Sequence, residues 1–203
     1  EQVEGGSLNK NELIIKINNQ TMTIQELALQ GKHNMFNSMA AAMAARVFEV
    51  KDTVIRQSML DFQNVEHRLE HVLTVHGIDF INDSKATNIN SCWFALESMQ
   101  KDVIWIAGGV DKGNDYSKLV EMVLDKVKAI ICLGKNNQQI IKSFQGKVDI
   151  IVQASSMSEA VNQSFSLANK GEIVLLSPAC ASFDLFSNYE DRGFQFKKAV
   201  RAL

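Results

Sequence analysis

The stretch Val103-Ile104-Trp105-Ile106-Ala107, running into Gly108-Gly109-Val110-Asp111-Lys112-Gly113, decides how this chain folds. A short run that is apolar on both faces fits a parallel strand covered by helices on both sides, and a glycine-rich turn directly after it fits the passage from strand to helix. The same grammar recurs around it. Ala129–Leu133 (AIICL), Ile150–Val152 and Ile173–Leu176 (IVLL) are further apolar runs. Helical periods lie between and beside them: Ile89, Cys92, Trp93 and Leu96; Tyr116, Leu119, Val120, Val123, Leu124 and Val127; Phe196, Ala199, Val200 and Leu203. Ser156 and Glu159 have the spacing of a capping box before one more helix. Val72–Val75 and Phe80-Ile81, with Gly77 near the turn, read as a hairpin leading into the sheet. Strands alternating with helices predict an α/β fold with a doubly wound, Rossmann-like, mostly parallel sheet.

Upstream the pattern is different. Leu13–Ile17 and Thr21–Ile24 read as a hairpin around Asn18, Asn19 and Gln20, at a sheet edge and not a centre, in an otherwise polar and irregular first thirty residues. The Ala- and Met-rich run from Asn34 to Val50 has high helix propensity, and Asp52 is placed to cap a second helix through Phe62. Two helices lacking a sheet of their own suggest a helical remnant of an incomplete unit. The expected boundary is near residue 72, giving segments 1–71 and 72–203, the second of ordinary domain size.

Composition excludes several classes. The 203 residues carry 21 Lys plus Arg against 23 Asp plus Glu, a net charge of -2, too weak a field to capture nucleic acid or an acidic membrane surface. The longest uninterrupted apolar run, Met39–Ala45, is far below the ~20 residues a membrane helix needs, and the N-terminus has no signal pattern, so a cytoplasmic location is expected. Cys92, Cys132 and Cys180 form neither a disulfide framework nor a CxxC site.

In an open parallel sheet, ligands bind beyond the carboxyl ends of the strands, so the segments after strands are the ones to inspect. Asn82-Asp83-Ser84-Lys85-Ala86-Thr87-Asn88 packs a carboxylate, an ammonium, hydroxyls and amides before a helix. Simple capping by Thr87 or Asn88 needs one such residue; the rest suit a helix start prepared for an anionic ligand. Gly108–Gly113 is either a flexible turn or a close-approach loop in which Lys112 offers a charge to a carboxylate or phosphate. Ser177-Pro178-Ala179-Cys180-Ala181-Ser182-Phe183-Asp184 holds the single proline of the chain amid small residues and hydroxyls. Three such loops at three strand ends converge on one face. None is a GxGxxG fingerprint, and no GxxxxGK[ST] phosphate loop occurs: Lys32, Lys135 and Lys147, each after a glycine, precede His, Asn and Val. Asn34 and Asn37, three apart at a helix start in Gly31–Asn37, carry amides that could read a base edge or cap the helix. His67 and His71 have zinc-pair spacing only if helical, without HExxH order or a third ligand; no metal site is expected, and Arg68 between them suits a nucleotide phosphate or ribose.

These segments, GKHNMFN (31–37), HRLE (67–70), NDSKATN (82–88), GGVDK (108–112) and LLSPACASFDLFSNYEDRG (175–193), resemble in order and spacing the carboxyl-terminal half of the Mur ligases, over about residues 31–203. NDSKATN with SPACASFD is similar to the member that adds D-glutamate. The resemblance implies an ATP-dependent amide-forming ligase of peptidoglycan synthesis. The carboxylate of UDP-N-acetylmuramoyl-L-alanine is phosphorylated, the amine of D-glutamate attacks the acyl phosphate, and a tetrahedral intermediate expels phosphate. It further implies that Asn34 and Asn37 meet the adenine, that Arg68 and Asp83 meet the phosphate or ribose of ATP, and that Lys85, Thr87, Lys112, Ser182, Phe183 and Tyr189 surround D-glutamate. No residue of this chain is assigned a bond-making role, and ligands for Mg2+ are expected outside it. Family members have three domains and about twice this length. The chain therefore resembles the tail of a central ATPase domain (1–71) plus a whole amino-acid-binding domain (72–203), expected to be inactive alone, with a monomeric parent. Glu1 in place of Met fits a trimmed piece. Two alternatives stand beside this: a ligase for another amino acid or for glutamate on folate, and a free-standing amino-acid- or nucleotide-binding module without chemistry.

Overall fold

The computed structural model describes residues 5–9, 12–17, 20–25, 27–28, 32–62 and 65–203. The chain divides into two compact units, Glu1–Asn64 and Val65–Leu203.

In the first unit, β1 (Gly5–Asn9), β2 (Glu12–Ile17) and β3 (Gln20–Ile24) form an antiparallel sheet in the order β1-β2-β3. The expected hairpin is there, with Asn18 and Asn19 outside the described residues, but Leu13–Ile17 belongs to the middle strand and not to an edge. β1 escapes a sequence reading because GGSLN is small, polar and largely exposed. Helices α1 (Lys32–Val47) and α2 (Asp52–Asp61) pack on this sheet through Leu13, Ile15, Met22, Ile24, Ala42 and Ile55. The helices thus have a sheet of their own, and the expectation of a purely helical remnant is corrected. Asp52 begins α2 without capping it; the cap position is Lys51, and the Asp52 carboxylate pairs with Arg46 of α1 instead.

The second unit contains β4 (Glu70–Val75), β5 (Ile78–Asn82), α3 (Ile89–Ser98), β6 (Val103–Ala107), a 3-10 turn (Tyr116–Leu119), α4 (Val120–Lys126), β7 (Val127–Leu133), α5 (Gln138–Phe144), β8 (Ile150–Ala154), α6 (Met157–Leu167), β9 (Ile173–Leu176) and α7 (Tyr189–Val200). The sheet order is β4-β5-β9-β6-β7-β8. Only the β4–β5 pair is antiparallel, joined through His76 and Gly77, both at positive φ (50° and 82°) as a tight two-residue hairpin turn requires. The remaining pairs are parallel. Alternate residues of β6 enter opposite cores: Val103, Trp105 and Ala107 pack with α3, α4 and α5, while Ile104 and Ile106 pack with α6 and α7. Both faces are therefore covered, and the strand is buried at every position. Val127, read as the end of a helix, opens β7. Ser156 caps α6 as its spacing predicts, accepting from the Glu159 N–H at 3.2 Å, while the Glu159 carboxylate reaches back to the Ser155 N–H at 2.7 Å.

The division between units falls seven residues before the expected boundary, because Glu66 and Glu70 both bind Lys197 of α7, at 2.9 and 2.7 Å, and hold the segment before β4 against the second unit. No helix among the described residues is long and apolar enough to cross a membrane.

Candidate functional site

Three loops meet at the carboxyl ends of β5, β9 and β6 because those strands are neighbours in the sheet. Asn82–Asn88 follows β5, Ser177–Asn188 follows β9 and Gly108–Asp115 follows β6. Capping of α3 falls to Asn88 alone, whose side chain accepts from the Ser91 N–H at 2.9 Å, leaving Asp83, Ser84, Lys85 and Thr87 for other work. The glycines of the β6 loop serve close approach of backbone to backbone. Both have φ near 128°, and a Cβ on Gly108 would collide with the Leu133 carbonyl, one on Gly109 with the Ala181 carbonyl. Immediately afterwards Val110 and Ala181 exchange backbone hydrogen bonds of 2.8 and 3.3 Å, zipping the β6 and β9 loops together. The turn is locked, not flexible.

A buried arginine ties the third loop in. Arg192 of α7 is 1% exposed; its Nε donates to Ser84 Oγ at 2.9 Å, Nη2 to the Ser84 carbonyl at 2.9 Å and Nη1 to the Cys180 carbonyl at 3.0 Å. Ser84 Oγ in turn donates to the Tyr189 carbonyl at 2.8 Å. Burial pulls the guanidinium down to about 10, against the nearby Cys180 and Asp184, so it stays charged at neutral pH.

Asp83 faces inward. Its Oδ2 accepts from Ser177 Oγ at 3.0 Å and its Oδ1 from the Leu69 N–H at 3.2 Å, so it holds the segment carrying Arg68. Burial raises its carboxyl to about 7, opposed by the Ser177 and Leu69 bonds and the Arg68 charge. A carboxyl raised in the folded state binds its proton more tightly there than in the unfolded chain. Its linkage therefore lowers stability as pH rises from about 4 to about 7 and is constant above. Asp83→Asn is expected to abolish that slope, gaining on the order of 1 kcal/mol or more on the wild type between pH 4.5 and 7.5; denaturant titrations of both proteins at the two pH values check it, and an equal pH dependence in both refutes it.

The segment before β4 is held from below. His67, buried and at φ 64°, places Nδ1 3.0 Å from Asn82 Nδ2, and its carbonyl accepts from the Lys85 N–H at 3.0 Å. Asn82 also reaches Glu70 at 3.1 Å and the Gly193 carbonyl at 3.3 Å. Burial opposes ionisation of Glu70, but the Lys197 ammonium and the His67 N–H together hold its carboxyl below the usual range. His67 and His71 do not share a helix: one lies in the loop, the other in β4 beside Thr74 and Asp79, and among the described residues no group of three or more His, Cys, Asp or Glu is placed to hold a metal.

Of the residues singled out by sequence, Lys85 lies over the Tyr189 ring, 3.9 Å from its centroid. Thr87 is half-buried two residues on, and Lys112 is exposed two residues past the Val110 zip. Ser182, 2% exposed, follows Ala181, and Phe183 beside it is 69% exposed, an aromatic rim to the loops. Arg68 is exposed next to Asp83's anchor at Leu69. Asn34 and Asn37 lie three apart on α1 of the first unit, while Gly31 lies outside the described residues. The sequence reading missed Arg192, Asn82 and Gly193 as organising residues. The available signal was positional: Arg192 and Gly193 stand four and three residues before Phe196, on the apolar face of the last helix, where a cation and a glycine replace the expected apolar side chains.

A six-stranded, mostly parallel sheet with helices on both faces and three polar loops joined at the ends of neighbouring strands defines a doubly wound α/β domain of the ligand-binding kind. The sequence profile described as Mur ligase, glutamate ligase domain, matches residues 67–180, and the chain belongs to the Mur ligase family. It is 55% identical over 205 residues to the UDP-N-acetylmuramoylalanine–D-glutamate ligase of Christiangramia forsetii, which covers 100% of this chain and 46% of that protein. Against the ligase of the same name from Porphyromonas gingivalis it is 54% identical over 193 residues, 94% of this chain and 43% of the other. The chain thus spans less than half the length of these relatives. Solved structures share the fold. The MurF ligase of Thermotoga maritima in complex with ADP has a TM-score of 0.62 at 12% identity, covering 98% of this chain and 46% of that one. Mycobacterium tuberculosis folylpolyglutamate synthase complexed with ADP has a TM-score of 0.63 at 12% identity, covering 86% and 44%.

Proposed function

We propose that this chain is the D-glutamate-binding and part of the ATP-binding portion of an ATP-dependent ligase that joins D-glutamate to UDP-N-acetylmuramoyl-L-alanine, and that it does not turn over ATP alone. The convergence of the loops after β5, β6 and β9, which gathers a cation, hydroxyls and an aromatic rim at one end of the sheet, carries this reading. The relatives at 55% and 54% identity, both named for that reaction, support the choice of acceptor.

D-glutamate is a dicarboxylate, and its two anionic groups call for charge-assisted partners. Lys112 supplies a point charge, Ser182 and Thr87 supply hydroxyls, and Lys85, steadied on the Tyr189 ring, supplies a second cation. Phe183 shields the methylenes. These groups orient the amine toward the acyl phosphate; their contribution is positioning and not proton transfer. Arg68 binds nucleotide phosphate or ribose, with Asp83 positioning it through Leu69, and Asn34 and Asn37 meet the adenine. ATP with Mg2+ supplies the phosphoryl group in the whole enzyme, and residues 1–64 are the tail of its ATP-binding domain.

Titration calorimetry of the chain with D-glutamate, L-glutamate and meso-diaminopimelate, with and without ADP, tests the proposal. Selective D-glutamate binding is expected, weakened by about 1.5 to 3 kcal/mol, or roughly 10- to 150-fold, in both Lys112→Ala and Ser182→Ala. Preference for another amino acid points to a different ligase of the family, and wild-type affinity in either variant removes that residue from the site.

A further inference from the structure

The loop that carries Lys112 is built with more order than a strand-to-helix turn needs. Asp111 Oδ1 accepts from the N–H groups of both Gly113 and Asn114 at 2.8 Å, and its Oδ2 accepts from the Tyr116 hydroxyl at 2.9 Å. Asn114 Nδ2 donates across to the Ala179 carbonyl at 3.0 Å, and the Tyr116 oxygen lies 3.3 Å from Cys180 Sγ. Tyr116 is 2% exposed and packs edge-on to Phe144, ring centroids 6.0 Å apart, so the far end of this network is rooted in the core between α3, α4 and α5. The Val110–Ala181 zip closes the other side.

Lys112 sits at the tip of this frame, its side chain outside every one of these bonds. A lysine has four rotatable carbons and a strongly hydrated ammonium, so an unsupported one loses much of its interaction with an anion to ordering entropy. Fixing its backbone on both sides removes part of that cost before the anion arrives. The side chains that do the fixing, Asp111, Asn114 and Tyr116, bond to Gly113, Asn114, Ala179, Cys180 and each other.

We propose that Asp111, Asn114 and Tyr116 are positioning residues that pre-set Lys112 for one particular carboxylate of the amino-acid acceptor. The inference rests on the D-glutamate reading of the site and deepens it. Tyr116 does not touch the ligand; its hydroxyl acts through Asp111, so its loss is felt only where Lys112 is used. The frame also ties the β6 loop to the β9 loop through Asn114 and Ala179, linking the segments that carry Lys112 and Ser182.

The test is binding of D-glutamate, D-glutamine and D-isoglutamine to the wild-type chain and to Lys112→Ala, Tyr116→Phe, Asn114→Ala and the Tyr116→Phe/Lys112→Ala double variant. One of the two amides lacks the carboxylate that meets Lys112, and the wild type discriminates against it. Lys112→Ala is expected to lose that discrimination, and Tyr116→Phe, which keeps the buried ring, to lose about 3- to 10-fold of it. Asn114→Ala, a change in a half-buried side chain, is expected to act in the same direction. Adding Tyr116→Phe to Lys112→Ala is expected to change nothing further, because the frame then has no cation to position. A purely structural role would weaken all three ligands alike. Discrimination kept by Tyr116→Phe and Asn114→Ala while Lys112→Ala loses it overturns the frame and leaves the site standing. Unchanged discrimination in Lys112→Ala removes Lys112 from the site and overturns the frame alone, whereas a wild type that binds none of the three overturns the acceptor reading and the frame together.

Discussion

Arg192→Ala is expected to destabilise the second unit by about 3 to 5 kcal/mol, the largest loss of any single side chain considered, measured as a lowered midpoint in denaturant at unchanged slope. The figure has two sources. Removing a 1% exposed side chain of this size leaves a void between the β5 and β9 loops, and the packing around it relaxes only in part. The void is polar as well: the Ser84 hydroxyl oxygen and carbonyl in the β5 loop and the Cys180 carbonyl in the β9 loop each lose a donor. Arg192→Lys is expected to recover little, since one ammonium cannot reach two carbonyls and a hydroxyl that a planar fork spans together. If the proposed acceptor site holds, the functional corollary is loss of D-glutamate binding even where the variant is still folded, because Ser84 and Cys180 belong to the loops that carry Lys85 and Ser182. A variant within 1 kcal/mol of wild type would show that the backbone zips alone hold the loops.

What could and could not be read from the sequence follows the same physics. The parallel strands were legible because apolar runs such as VIWIA and IVLL have no polar alternate, and burial on both faces is the single environment that suits them. The hairpin at His76-Gly77 was legible because its turn needs positive φ, which Gly77 supplies freely. β1 was not, since GGSLN is strand only by virtue of pairing with β2, and a pairing partner leaves no mark on the local pattern. With β1 unseen, the β2–β3 hairpin looked like an edge and α1 and α2 looked like helices without a sheet. At the site, the polar loops after strands stood out by position. Roles inside them did not. Asp83 reads as a ligand contact until its two oxygens are found bonded to Ser177 and Leu69, and nothing in the local pattern around Arg192 names Ser84 and Cys180, the two residues that accept its hydrogen bonds. The partners of a buried charge are set by tertiary contact, which helical periodicity does not encode.

Gly193→Ala reverses the usual sign of a helix substitution. In the interior of an exposed helix, replacing glycine by alanine stabilises by roughly 1 kcal/mol. Gly193 lies in α7, is buried, and a Cβ there would collide with the imidazole of His67, at Nδ1 and Cγ alike. The imidazole cannot step aside cheaply. Its ring nitrogen faces Asn82, its backbone holds a left-handed conformation at φ 64°, and its carbonyl accepts from the Lys85 N–H. Moving it disturbs Asn82, which also binds Glu70 and the Gly193 carbonyl. A net loss of about 3 kcal/mol is therefore expected, at the upper end for overpacking, because the neighbour that must yield is tied by hydrogen bonds at two places. A second change separates this cause from any intrinsic effect on α7. Combined with His67→Ala, which vacates the space, Gly193→Ala is expected to regain its helical advantage, so that the double variant is more stable than His67→Ala alone. The pair also bears on function. His67 stands between Arg68 and Lys85 in the chain of contacts, one peptide from the first and one hydrogen bond from the second, so on the proposed function overpacking behind it should weaken ADP and D-glutamate together, while the His67→Ala background should remove the additional effect of Gly193→Ala on both. Additive losses in that background would place the strain elsewhere in α7 and dissociate Gly193 from the segment that presents Arg68.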